Sequence, residues 1–346
     1  DEAVRRADDK SQQQLALRFV DVILTQGRRE EALKVLSDWL ARMPNDVAAL
    51  RRLRDIDIED GRWPEVMEAC RRLVAIDRGP AQIEAALGLS RACQELGEPD
   101  RAREGLELVR SAQPDNAHVR AELRTIYERE GDRRALAALL VDDGDAAQDR
   151  REKVELLRRA GMLFMELGDA EAGVRPLRTA YECMPDDAAG TLLLADAYIL
   201  AGWFDEANQL LDRVLAESAG RRGPEVASYY HRKAQIAAVH GDEQAQLLLL
   251  QEAHACNKKN GEIAAELAEL AQELRVWDLA AQTLRTITLL DTDCPIGRAE
   301  AFLRQGKIAR MQGDTRSAKM WARRAKREDP DWSEVDAFLL ELGARP

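Results

Sequence analysis

Along this chain glycine returns at Gly27, Gly61, Gly97, Gly131, Gly168, Gly202, Gly241 and Gly313, and Arg275 stands where one more would fall. The intervals are 34, 36, 34, 37, 34, 39, 34 and 38 residues, so every second one is 34. A period near 34 that punctuates helical patterns marks an array in which one small helical unit is copied end to end. Each glycine lies where one apolar helical pattern stops and another starts, as between Val20–Leu24 and Ala32–Leu33. Glycine adopts the left-handed conformation after a helix without a Cβ penalty, so the first helix ends there and a second folds back. The repeat is therefore predicted to be a helical hairpin.

Counting each glycine as position 15 of a 34-residue unit brings other columns into register. Position 24 holds Leu36, Cys70, Leu106, Leu140, Leu177, Leu211, Leu250, Leu284 and Ala322, the expected buried stripe of the second helix. Position 20 is small at Ala32, Ala102, Ala207, Ala280 and Ala318, which lets paired helices approach. Position 32 is proline at Pro44, Pro114, Pro185 and Pro330, followed by Asn or Asp able to cap the next helix.

With a small residue at position 8 (Ser90, Gly161, Ala195, Ala234, Ala268, Gly306) and an aromatic at position 17 (Trp63, Phe204, Trp277), these columns resemble the tetratricopeptide repeat over residues 13–332. The resemblance implies an all-α fold, a right-handed α-solenoid of about nine units at 13–46, 47–80, 83–116, 117–150, 154–187, 188–221, 227–260, 261–294 and 299–332. Val20, Arg54 and Arg124 fill position 8 in units 1, 2 and 4, where looser hairpins are expected.

Residues 333–346 are expected to be a capping helix and tail, with Val335, Phe338, Leu339 and Leu342 as its apolar stripe and Ser333 and Asp336 spaced like a capping box. Residues 1–12 are polar and expected to be the tail of an upstream repeat in a longer protein. The extra residues enter at alternate boundaries, where Gly79-Pro80, Gly223-Pro224 and Cys294-Pro295 place proline at a helix start. First helices of units 3, 5, 7 and 9 should thus begin about a turn early, unit 5 without proline.

Composition points away from several functions. A net charge of −12 argues against a nucleic-acid duplex, which needs a dense basic footprint. No apolar run is long enough to span a membrane, and no signal segment opens the chain. Five scattered cysteines suit reduced, packed thiols and a cytoplasmic setting, with the periplasm as the alternative if a signal peptide lies upstream.

No catalytic, metal or cofactor site assembles from the residue pattern. His254 and Cys256 diverge by about 200° around a helix, so a surface histidine and a semi-buried thiol are expected. Asp142-Asp143-Gly144-Asp145 lacks the alternation and distal glutamate of a calcium loop and is expected to be the loop ending the second helix of unit 4. The basic run of residues 299–328 is expected to be a solvated face partly neutralised by Glu262, Glu266, Glu269 and Glu273, with docking of an acidic segment as the alternative.

The family resemblance further implies that first helices line a concave groove for a protein or peptide partner. The corresponding positions hold Arg51, Asp55, Arg91, His118, Thr125, Arg158, Arg159, Met162, Asp196, His231, Arg232, Gln235, Glu269, Arg304, Lys307 and Arg310. No unit pairs Lys at position 5 with Asn at position 9, so the family's clamp for chaperone tails is absent. The expected function is a non-enzymatic interaction scaffold within a larger bacterial protein serving polarity, motility, pilus or envelope assembly. A peptide-sensing regulatory module and the periplasmic arm of a polysaccharide-export or secretion system stay open, and a monomer is compatible with the sequence.

Overall fold

The structure is a computed structural model, described for residues 2–291 and 293–344 and for side chains from residue 11 onward. Two compact bodies divide the chain, Asp1–Leu163 and Phe164–Pro346. The first contains α1 (Glu2–Thr25), α2 (Arg29–Arg42), α3 (Val47–Glu59), α4 (Trp63–Ile76), α5 (Pro80–Glu95), a 3-10 turn at Pro99–Ala102, α6 (Arg103–Ala112), α7 (Ala117–Glu130), α8 (Arg133–Ala146) and most of α9 (Arg150–Glu166). The second continues with α10 (Ala170–Cys183), α11 (Ala188–Leu200), α12 (Phe204–Glu217), α13 (Pro224–Val239), α14 (Glu243–Cys256), α15 (Gly261–Glu273), α16 (Trp277–Ile287), α17 (Arg298–Met311), α18 (Thr315–Glu328) and α19 (Ser333–Glu341). Among the described residues there is no strand, so the fold is an all-α repeat.

The turn glycines all have positive φ, between +69° and +82°. Their effect is visible at Gly202, whose N–H donates to Ile199 O at 3.1 Å while Trp203 N–H reaches Tyr198 O at 2.8 Å. Those two bonds satisfy carbonyls that the ending helix would leave open. Arg275 performs the same turn at φ +58°, with Val276 N–H on Ala271 O at 2.8 Å.

The position 24 column is buried in every unit, and so are the five alanines of position 20. Close approach is explicit in the last hairpin: a Cβ on Gly306 would lie 3.3 Å from the Ala318 carbonyl and 3.1 Å from Phe338 Cε1. The helices of units 7 and 9 run together over more of their length than those of units 1, 2 and 4, in line with their small position 8 residues. Unit 6 packs as sparsely as these despite Ala195, so position 8 alone does not set the separation.

First helices alternate in length as the insertions imply. Those of α3, α7, α11 and α15 have 13, 14, 13 and 13 residues and start at Asp46, Asn116, Asp187 and Asn260, whose side chains cap them. By contrast α5, α9 and α13 have 16, 17 and 16 residues. Unit 9 departs from the expectation, because α17 starts at Arg298 rather than Pro295. There the extra residues form a loop that drives Ile296 into the core beside Ala268, Leu284 and Ile308.

Residues 2–12 form the first turns of α1, which runs unbroken to Thr25. Other expectations are corrected. Asp142–Asp145 belong to α8: Gly144 makes room for Leu157, whose Cδ2 would lie 2.7 Å from an added Cβ, and Asp143 is buried against Arg120 and Arg124. The capping box at Ser333 does not form, since Trp332 is the N-cap residue and Asp336 turns to Lys326 at 2.5 Å. The stripe of α19 is buried as its pattern demands.

Candidate partner-binding surface

Residues three and four apart share one side of a helix, so positions 2, 5, 6, 9, 12 and 13 of a first helix, those expected to face a partner, form one broad row. Copying the hairpin at nearly constant spacing sets equivalent rows side by side. In the first body Asp21 meets Arg52, Arg54 meets Glu84 at 2.9 Å, and Glu128 meets Arg159 at 2.7 Å. Ser90 Oγ and Gln94 Nε2 both donate to Glu122, at 2.6 and 2.9 Å. In the second body Arg232 forks onto Asp196 at 2.9 and 3.1 Å, His231 Nε2 lies 2.8 Å from Glu266, and Arg304 approaches Glu269 at 3.4 Å. The capping helix continues the series, Lys307 reaching Glu334 at 2.6 Å and Arg310 reaching Glu341. Polar cross-links thus tie successive first helices along the row expected to meet a partner, with Arg54 and Ser90 of position 8 joining in from its edge.

The remaining candidates fall into two groups. Arg51 extends to Asp77 at 2.9 Å, Asp55 receives Arg54 at 2.8 Å, and the Arg91 guanidinium lies 5.5 Å from the Trp63 ring centroid. His118, Thr125, Met162 and Gln235 stand exposed, and Arg158 is half-buried. Arg51 also lines an open cleft of about 680 Å³ with Trp39, Met43 and Val47. Its shape is held by Asp46, which accepts from Gln13 and from the Trp39 indole, each at 2.7 Å.

The basic run of residues 299–328 is neutralised differently from expectation. Of the four unit 8 glutamates, Glu269 meets Arg304 and Glu266 is engaged by His231, while Glu334, Asp336 and Glu341 of the capping region take Lys307, Lys326 and Arg310. Arg316, Arg323 and Arg327 stand exposed along α18, and Arg324 stacks 4.7 Å from the Trp321 ring centroid. Residue patterns gave no sign of the cluster on α6–α8. There Arg103 binds Glu107, Glu130 and Asp132 at 2.6 to 2.9 Å and covers the Tyr127 ring. The Tyr127 hydroxyl donates to Glu107, and burial followed by that hydrogen bond pushes its pKa up to about 12. His254 is half-buried rather than a surface residue, and burial, with Lys258 nearby, lowers its pKa. Among the described residues no three His, Cys, Asp or Glu side chains converge as a metal site, and no helix is long and apolar enough to cross a membrane.

Repeated hairpins with buried small residues between them, and charged rows on their first helices, define a helical repeat protein that displays side chains along a surface. The family model described as tetratricopeptide repeat matches residues 57–125 and 164–228. Over those two stretches this chain carries tetratricopeptide repeats, and members of that family generally mediate protein–protein interactions. It is 22% identical over 330 residues to the CTR9 homolog of Arabidopsis thaliana, a match covering 93% of this chain and 26% of that protein. It is 26% identical over 255 residues to cellulose synthase operon protein C of Xanthomonas axonopodis pv. citri, covering 66% of this chain and 16% of that one. A solved tetratricopeptide repeat protein from Parabacteroides merdae superposes with a TM-score of 0.38 at 16% identity, over 75% of this chain and 97% of the other. The chain therefore spans about a quarter and about a sixth of the length of these two curated relatives.

Proposed function

We propose that this chain is a non-enzymatic scaffold that holds a segment of another protein along the first-helix rows of its hairpins. The ladder of cross-links carries the proposal, and Arg232 with Asp196 shows why. The forked contact fixes the guanidinium, yet the two side chains remain 24% and 32% exposed, and the fork uses two of the five guanidinium N–H groups. A charge already held in one rotamer loses little conformational freedom when a partner binds. Exposed pairs of this kind are individually worth under ~1 kcal/mol, so a partner carboxylate can share or replace Asp196 at small cost. The partner that suits such rows is an extended or helical protein segment presenting carboxylates and backbone carbonyls, bound without a cofactor. Both curated relatives are much longer than the matched region, which supports a place for the array within a larger assembly, of polarity, motility, pilus or envelope type.

Affinity capture with wild-type chain and with the Arg158→Glu and Arg232→Glu variants tests the proposal. A protein retained by wild type and lost from the variants, at unchanged helical circular dichroism, is the expected result. Equal retention by all three removes the rows from consideration.

A further inference from the structure

Along α18 the charges are arranged unlike those of the first-helix rows. The helix carries six basic residues against Glu328, and among the described residues only Lys326 of these meets a carboxylate, that of Asp336. Arg316, Lys319, Arg323, Arg324 and Arg327 have no carboxylate partner there, whereas Arg232, Arg304 and Arg310 of the rows each have one. Ala318, Ala322 and Ala325 bury the opposite side of α18. At about 100° per residue Arg316, Arg323 and Arg327 fall within about 40° of one another at the centre of the outward face, with Lys319 and Arg324 at its flanks. Another cation with no carboxylate among the described residues comes from unit 8: exposed Arg285 lies 5.9 Å from the Trp321 ring centroid, Arg324 lies 4.7 Å from it, and Phe302 stacks on the same ring at 5.8 Å. Like charges three and four apart on a helix oppose each other, as Arg316 with Lys319, Lys319 with Arg323 and Arg323 with Arg327 do here. Arg316 stands in the first turn, where the helix dipole also disfavours a cation, and Asp314 beside it is engaged in capping, accepting from Ser317 N–H at 2.9 Å. The single chain therefore carries an electrostatic cost on this face that a bound anion relieves.

We propose that the outward face of α18, with Arg285 and Arg324 beside Trp321, docks an extended acidic segment of a partner protein that places Asp or Glu at alternate positions. Lys319, Arg323 and Arg327 follow one another at about 6 Å along the helix axis, four residues of ~1.5 Å rise each. Side chains on one side of an extended chain recur at about 6.6 Å, so successive carboxylates of such a segment meet successive cations. A guanidinium stacked on an aromatic ring keeps its edge N–H groups available to a carboxylate, and Arg324, held on Trp321, loses little freedom when it donates them. The net charge of −12 selects a short segment over a larger anion. A duplex or an anionic bilayer would be held against the acids of the rest of the chain, whereas a short segment feels mainly the charges within about one Debye length, ~8 Å at physiological ionic strength. This face belongs to second helices and is separate from the first-helix rows, so its failure would leave the scaffold proposal standing.

Fluorescence anisotropy of the whole chain with a labelled peptide of about eight residues alternating Glu and Ser, long enough to span α18, tests the proposal. Saturable binding that weakens with added salt is the expected result. The double variants Arg323→Gln with Arg327→Gln, and Arg285→Gln with Arg324→Gln, should each raise the dissociation constant on the order of 10-fold, as loss of charge-assisted hydrogen bonds does, while Arg232→Gln leaves it unchanged. All four substituted residues of the double variants are exposed, so the melting temperature should stay level or rise as like charges are removed. Absence of binding by wild type overturns the proposal, as does equal affinity for a peptide with Gln in place of Glu or with the same glutamates in one block. Binding indifferent to the Arg323→Gln and Arg327→Gln pair, or lost with Arg232→Gln, would take the peptide off α18 and sink the assignment. Tighter retention of duplex DNA or of phosphatidylserine vesicles through the same arginines would give the face to another class of ligand and likewise refute it.

Discussion

At the residue scale, Arg275 shows how far a repeat tolerates a departure from its rule. Its φ of +58° is the one positive value among described non-glycine residues. An L-residue there costs roughly 1–2 kcal/mol, while glycine forfeits about 0.5–1 kcal/mol through the greater freedom of its unfolded chain. The strain is the larger effect, so Arg275→Gly should stabilise the protein by about 0.5–1 kcal/mol, read as a raised urea midpoint at unchanged slope. A lowered midpoint would show that the Arg275 side chain contributes more than its backbone costs. The turn was legible from the 34-residue spacing even with glycine missing, because a left-handed residue is required wherever one helix must close onto the next. The Arg103 cluster was not, because its members come from two helices and the turn after them and share no sequence register.

Elements differ in what fixes their ends. Where a short loop leads into α3, α7, α11 or α15, an Asp or Asn side chain caps the helix, and a local sequence signal suffices. Proline proved a weaker guide: Pro80 and Pro224 open helices, but Pro295 does not. At unit 9 the burial of Ile296 outweighs the three residues of helix that an earlier start would have added. Ile296→Ala should accordingly cost about 2–4 kcal/mol in chemical denaturation, the range for emptying a buried site. A loss below about 1 kcal/mol would mean that the loop is not a plug. Asp142–Asp145 misled in the opposite direction. Three aspartates and a glycine read as a loop by propensity, whereas Arg120, Arg124 and the packing of Leu157 on Gly144 hold them in a helix.

For the whole molecule, repeat architecture distributes stability among neighbouring hairpins rather than concentrating it in one core. The core accordingly divides into separate apolar clusters. Alkaline pH should act on them unequally. Burial pushes the Cys70 thiol up to about 12 from its ordinary 9, and Tyr127 rises to about 12 from 10, both within the first body. The folded state keeps these protons where the unfolded chain releases them. Stability is therefore full below about pH 9 and falls as pH rises toward about 12. Burial also raises Tyr229 and Tyr230 in the second body, so the loss is general, but Cys70→Ala combined with Tyr127→Phe should flatten it for the first body alone. Hydrogen exchange of α3–α8 against α12–α18 at about pH 8 and about pH 10.5 measures this, and equal flattening in both bodies would contradict it.

By itself the sequence determined the hairpin, its period, the buried columns at positions 20 and 24, and the family, because each depends on contacts within a unit or with the next one and so repeats in register. Tertiary structure decided which charged residues are cross-linked, where the helix of unit 9 begins, and that Arg316, Arg323 and Arg327 find no carboxylate among the described residues while Arg232, Arg304 and Arg310 do. Those outcomes depend on what stands beside a residue in space, and a charge in the sequence records only that a counter-charge is needed.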